Sequence, residues 1–221
     1  LARAGHHVHA CDFAEAMLAI LDQRAAAENL PITSHLLAWD EDWSRAGLGE
    51  NSVDCAFASR SLMSDHTLSR ISKLDATARV KAAVVVPNSL PPSSDPRLLT
   101  YLGRKAKRPS TVPEVLRALR YLGRIPVTAT TNTYRPMRFN SFDEARADLR
   151  RLARPEPFTA REQRLFDAYA RDHFIEVPAV QPASGLSNDH SDSPQTQWVL
   201  NYPLPVVWTF IGWRTDGSEW E

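Results

Sequence analysis

The sequence predicts an α/β fold, a doubly wound and mostly parallel sheet, on three observations. Short β-rich runs alternate with stretches of helical periodicity over residues 6–86. Several runs, such as Ala82–Val86, are apolar throughout, which suits strands covered on both faces. At 221 residues and 43% hydrophobic, the chain is long enough to bury a core and suits one domain, or one domain carrying an appendage.

Taken in order, "LARAG" (1–5) reads as the last turn of a helix stopped by Gly5, with no beginning to that helix, so the natural N-terminus is expected upstream of Leu1. "HHVHAC" (6–11) reads as a strand, and Ala14, Met17, Leu18, Leu21 and Ala25 then recur at helical spacing as a buried face. Strands follow at 32–39, 53–59 and 80–86, with Leu68, Ile71 and Leu74 marking a helix between the last two. Past Pro87 the pattern changes: a loop, then helices with few strands between them. Thr111 reads as an N-cap with Pro113 and Glu114 behind it, and "SFDE" (141–144) and "TARE" (159–162) read as capping boxes. A β-rich run at 126–134 and a closing strand at 204–213 complete the reading. The polar stretch 178–197 reads as a mobile loop. Three parts are expected: a ligand-binding part over 1–87, a helical cap over 88–203, and the closing strand 204–213.

Lys and Arg balance Asp and Glu at 26 each, so no global field recruits nucleic acid or an anionic membrane, and a small specific partner is expected. Two cysteines make no disulfide framework, and no apolar run reaches the roughly 18–20 residues a bilayer requires, so a cytoplasmic setting is expected.

In an open parallel sheet, ligands bind beyond the carboxyl ends of the strands. Asp12, Asp40 and Ser59 fall at such ends. An acid there can accept both hydroxyls of a ribose, and a second acid one strand further out, in "AWDEDW" (38–43), can accept from an adenine amino group while Trp39 or Trp43 lies beside the ring. The pair suggests an adenosine. Each residue has a plainer reading too: Asp12 as a helix cap, the tryptophans as core. Arg60 follows an apolar strand directly and either points to the pocket or pairs with Asp54 or Asp65. His7 and His9 share a strand face without a third ligand, so no metal is expected. "NDHSD" (188–192) reads as solvated loop, "SDH" (64–66) as a helix start, and "GRKAKR" (103–108) as a solvated helix end.

The segments "LARAGHHVHACDFAEAML", "AWDEDWSRAGLGENSVDCAFASRSL" and "KLDATARVKAAVVV" resemble consecutive parts of class I S-adenosylmethionine-dependent methyltransferases, and "VVWTFIGW" resembles their closing strand. The likeness covers residues 1–100, thins through the helical segment and returns at the end. It implies a Rossmann-like sheet with S-adenosylmethionine as cofactor and a small-molecule methyl acceptor. By this resemblance Asp12 would hold the ribose, Phe13 would border the adenine, Asp40 with Trp39 would complete the adenine site, and Ser59, Arg60 and Ser61 would face the transferred methyl. One departure stands out: the first strand and glycine-rich turn of such enzymes are missing from this sequence, and "LARAG" corresponds to the end of the helix that follows that turn. Family strand order would set one strand between those of Cys11 and Cys55, too far apart for a disulfide.

Two other functions fit parts of the pattern. A nicotinamide-dependent oxidoreductase also wants an acid after its second strand but does not demand Asp40, and a non-catalytic binding module needs no glycine turn.

Overall fold

The structure, a computed structural model, describes residues 1–62, 66–88, 93–105, 111–135, 137–154, 157–179 and 196–220. A 3-10 turn at Ala2–Ala4 ends on Gly5, whose φ of 89° suits a residue without a Cβ. Strand β1 (Val8–Asp12), helix α1 (Glu15–Glu28) and strand β2 (Ile32–Leu36) follow, with β2 parallel to β1 and Asp12 opposite Leu36. Only Leu18 and Ala25 of α1 are buried. Met17, expected on the covered face, is 58% exposed, because α1 packs on this two-stranded ladder through a narrow strip. The second strand also stops at Leu36 rather than at residue 39.

A four-stranded sheet has the order β3-β4-β9-β5: β3 (Val53–Ser59), β4 (Ala78–Pro87), β9 (Leu204–Arg214) and β5 (Val127–Arg135). β3 and β4 are parallel, and β9 runs antiparallel to both β4 and β5. The carboxyl ends of β3, β4 and β5 therefore share one end of the sheet. One face, with Ala56, Ala58, Val84, Val86, Ile211 and Trp213, is covered by α2 (Thr67–Thr77) and α4 (Thr111–Tyr121) through Ile71, Leu74, Val115 and Leu119. Leu68, expected in the α2 stripe, is 44% exposed. Thr111 is the first residue of α4 rather than its cap, and the preceding residue lies outside those described.

Buried Asp75, on α2, ties three elements together. Its carboxylate accepts from Arg124 Nε at 2.9 Å and Nη2 at 2.8 Å, and from the indole Nε1 of fully buried Trp213 at 2.9 Å. That satisfies every hydrogen-bonding need that burial creates at this point.

A second core gathers α3 (Pro96–Tyr101), α5 (Phe142–Arg151), α6 (Ala160–His173) and an antiparallel sheet of order β6-β8-β7. Its strands are β6 (Arg138–Phe139), β7 (Phe174–Pro178) and β8 (Thr196–Leu200). Of the stretch 178–197, Pro178 closes β7 and Thr196 opens β8, while 180–195, with "NDHSD", lies outside the described residues. Thr159 and Glu162 form a reciprocal capping box on α6. Ser141 caps α5 through Glu144 N, but Glu144 reaches back to Asn140 N instead of to the cap residue. Asp95, fully buried, caps α3 and accepts from Tyr202, whose hydroxyl also meets Tyr169 at 2.7 Å. In the basic stretch, Arg104 turns inward instead of to solvent: it bonds Glu162 at 2.7 Å and the Ala153 carbonyl at 2.6 Å, and residues 106–108 lie outside those described. No helix among the described residues is long and apolar enough to cross a membrane.

Candidate functional site

The strand ends carry the residues of interest in two groups, because β1 bonds only β2 and β3 bonds only β4 at their ladders among the described residues. Asp12 is the last residue of β1 and is half-buried. Its Oδ1 accepts from Ala14 N at 2.9 Å, which starts α1 where the cap residue itself, Ala14, offers no side-chain acceptor. One oxygen therefore caps, and Oδ2 is left to accept elsewhere. Phe13 beside it is 79% exposed.

Past β2, the loop bearing Trp39 and Asp40 is held by several bonds. Ala38 N donates to Glu41 at 2.5 Å, Trp43 Nε1 donates to the Ala38 carbonyl at 2.9 Å, and Lys73 Nζ on α2 reaches the carbonyls of Trp39 and Glu41 at 2.7 Å each. The Trp39 and Trp43 rings lie 5.3 Å apart and pack against the core of the four-stranded sheet, with Arg70 and Lys73 over their faces. Asp40 is exposed at the rim of this platform. Lys73 was not foreseen, since one lysine in a helix carries no signal of a loop it will clamp.

Ser59 ends β3, and Ser61 lies just beyond it; both are exposed. Between them Arg60 has a φ of 61°, donates its backbone N–H to the Val85 carbonyl at 3.0 Å, and lays its guanidinium 4.6 Å over the Trp208 ring. Asp54 pairs with Arg79 and not with Arg60, and Asp65 lies outside the described residues. At the end of β4, Asn88 bonds the Val207 carbonyl and the buried Thr209 hydroxyl, each at 2.9 Å. Nothing in the sequence marks Asn88 or Trp208, because both become site neighbours only through the antiparallel placement of β9.

On the open face of β1 and β2, His9 Nδ1 lies 2.9 Å from His35 Nε2, and His7 Nε2 meets the Thr33 hydroxyl at 3.0 Å. Burial, then the neighbouring His7 and His35 charges, push the His9 pKa below its ordinary value. No group of three metal-ligating side chains forms among the described residues, and Cys11 and Cys55 are free thiols. A cleft of about 630 Å³ opens at the carboxyl end of β5, lined by Tyr134, Arg135, Met137, Ile175, Val199 and Tyr202 among others.

No protein-family model matches the sequence, and no curated protein does either. Among solved structures, the chain is similar to a protein of Bacillus halodurans C-125 assigned to the methyltransferases, at 11% identity and a TM-score of 0.50, covering 94% of this chain and 82% of that one. It also overlaps a geranyl diphosphate methyltransferase in complex with SAM, at 13% identity and a TM-score of 0.45, covering 96% of this chain and 69% of that one. A third is the geranyl diphosphate C-methyltransferase of Streptomyces coelicolor A3(2), at 12% identity and a TM-score of 0.46; 96% of this chain is covered, and the chain spans only 65% of that enzyme's length. At such identities the likeness to the Bacillus protein shows the fold alone, the Rossmann-like α/β arrangement; in this chain β9 runs antiparallel between β4 and β5.

Proposed function

We propose that this chain, whose fold is that of class I S-adenosylmethionine-dependent methyltransferases, transfers a methyl group from S-adenosylmethionine to a small-molecule acceptor. The observation that carries the reading is the pair of acids at the carboxyl end of two adjacent parallel strands, Asp12 as the last residue of β1 and Asp40 in the loop that follows β2, with an indole platform beside the second. The donor set fits an adenosine. Asp12 keeps one carboxylate oxygen for ribose hydroxyls while the other fixes its position through Ala14 N. Trp39, its backbone clamped by Lys73 and its ring packed beside Trp43 and Arg70, supplies apolar surface beside the adenine, and Asp40 at the rim accepts from an exocyclic amino group. Phe13, with 79% of its surface exposed, supplies the other apolar wall.

When bound, the cofactor supplies an electrophilic methyl on a positively charged sulfur. The protein's share is to align the acceptor in line with that methyl and to exclude water, which lowers the barrier through orientation without a dedicated base. Ser59, Arg60 and Ser61 line the side on which the methyl is passed on. Residues 1–87 hold the cofactor, 88–203 wall the acceptor, and 204–213 close the sheet; the neutral charge balance and a cleft of about 630 Å³ suit a small molecule rather than nucleic acid or membrane.

Calorimetry of the full-length protein with S-adenosylhomocysteine tests the reading. Asp12→Ala should cost about 1.5–3 kcal/mol of binding, the range for a hydrogen bond to a charged group, and Asp40→Ala less, since its partner is neutral and exposed. Unchanged affinity in Asp12→Ala removes the ribose from β1.

A further inference from the structure

We propose that Arg60, stacked on Trp208, is the docking point for an anionic group of the methyl acceptor, a carboxylate or a phosphate; this rests on the methyl-transfer reading above. Four non-glycine residues among those described take a left-handed backbone, and two are asparagines, the type that tolerates it best. Arg60, at φ 61°, is not of that type, and its strained turn falls at a strand end where this fold places ligands.

The turn sends the side chain across β4 to β9, where the guanidinium lies 4.6 Å over the Trp208 ring. That ring is pinned: Trp208 is 6% exposed, and its Nε1 donates to the Thr133 hydroxyl at 3.2 Å. A guanidinium on a fixed indole is pre-organised and keeps its edge N–H groups free for a planar two-oxygen partner. Among the described residues no carboxylate takes that place. Arg3, Arg79, Arg104, Arg124, Arg146 and Arg214 all have acidic partners, whereas Arg60 has no ion pair among the described residues. The exposed hydroxyls of Ser59 and Ser61 flank it as further donors.

Direction assigns the anion to the acceptor rather than to the cofactor. Asp12 closes β1 and Asp40 lies in the loop after β2, while Arg60 points away from the unpaired edge of β3, towards Trp208 and its β5 partner Thr131. The cleft at Tyr134 and Arg135 lies further along that same strand.

The test follows the Trp208 indole N–H by nitrogen-15 NMR in the full-length protein, assigned with Trp208→Phe, during titration with sodium acetate or sodium phosphate at ionic strength held constant with sodium chloride. A saturable shift with at least one anion is expected, and the anion that binds tighter names the acceptor's group. Arg60→Gly suits the left-handed backbone, so the Trp213 indole signal should keep its position while anion affinity falls at least tenfold. Arg60→Lys, which keeps the charge and loses the planar fork, should fall at least threefold. A shift that does not saturate, or that persists in Arg60→Gly, overturns the proposal. So does a tenfold loss of S-adenosylhomocysteine affinity in Arg60→Gly, which would put Arg60 on the cofactor. Absence of S-adenosylhomocysteine binding in the parent, with the anion shift intact, overturns the methyl-transfer reading and leaves the anion site standing on the NMR result.

Discussion

Replacing Asp75 by Ala should be among the most damaging single changes to this fold. The carboxylate holds two guanidinium bonds from Arg124 and the indole N–H of Trp213, and its side chain is 10% exposed against 24% for Arg124. Removing it strands a cation and a donor that water reaches poorly, and such a loss costs about 3–5 kcal/mol for a buried pair. Arg124 retains some solvent, so we take the lower end, about 3 kcal/mol. With a urea slope of about 2.5 kcal/mol/M the midpoint should fall by about 1.2 M, and the melting temperature by about 6–12 °C. Asp75→Asn keeps an acceptor and loses the charge, so it should lose about half as much. Urea unfolding followed by tryptophan emission and by far-ultraviolet circular dichroism measures both. A midpoint change below about 0.3 M in Asp75→Ala would refute the idea that this carboxylate ties α2 to β9.

Two further predictions concern pH. Arg104, then the backbone and hydroxyl of Thr159, hold the Glu162 pKa down at about 2, so the folded state binds its proton later than the unfolded state does. Its contribution is complete above the unfolded value of about 4.3 and is lost as pH falls towards the folded value; Glu162→Gln should melt lower at neutral pH and converge on the parent at acid pH in a thermal series. His9 is a depressed base, so its unfolded form takes up a proton first, and stability declines as pH falls below the unfolded value of about 6.5. Protection factors of the amides in β1 and β2, which take out the intrinsic slowing of exchange in acid, should fall on acidification in the parent and much less in His9→Gln; an equal fall in both would remove the imidazole pair as the cause.

Legibility differed by region for physical reasons. β3 emerged at Val53–Ser59 as expected because its alternate residues Ala56 and Ala58 are buried and turn signals bound it on both sides. The capping box at Thr159 was readable because its chemistry is local. Helix α1 was legible as a helix, and Leu18 and Ala25 as part of its covered face, yet Met17 was expected there and is exposed, since burial depends on what packs against it. Strands β6 and β8, of two and five residues, are too short to show periodicity, and their pairing partners lie far away in sequence. At the candidate site the acids were visible by position. Trp208 under Arg60 was not, because that contact joins residues 148 apart.

The account's central claim is that β1 and β2 present an adenosine site, and a crystal structure of the full-length protein with S-adenosylhomocysteine tests it most directly. The account predicts both ribose hydroxyls on the Asp12 carboxylate, with Ala14 N still bonded to Oδ1, and the adenine against Trp39 with its amino group at Asp40. Density for the nucleoside elsewhere, or an Asp12 carboxylate engaged with nothing but Ala14 N while the ligand is bound, would contradict it.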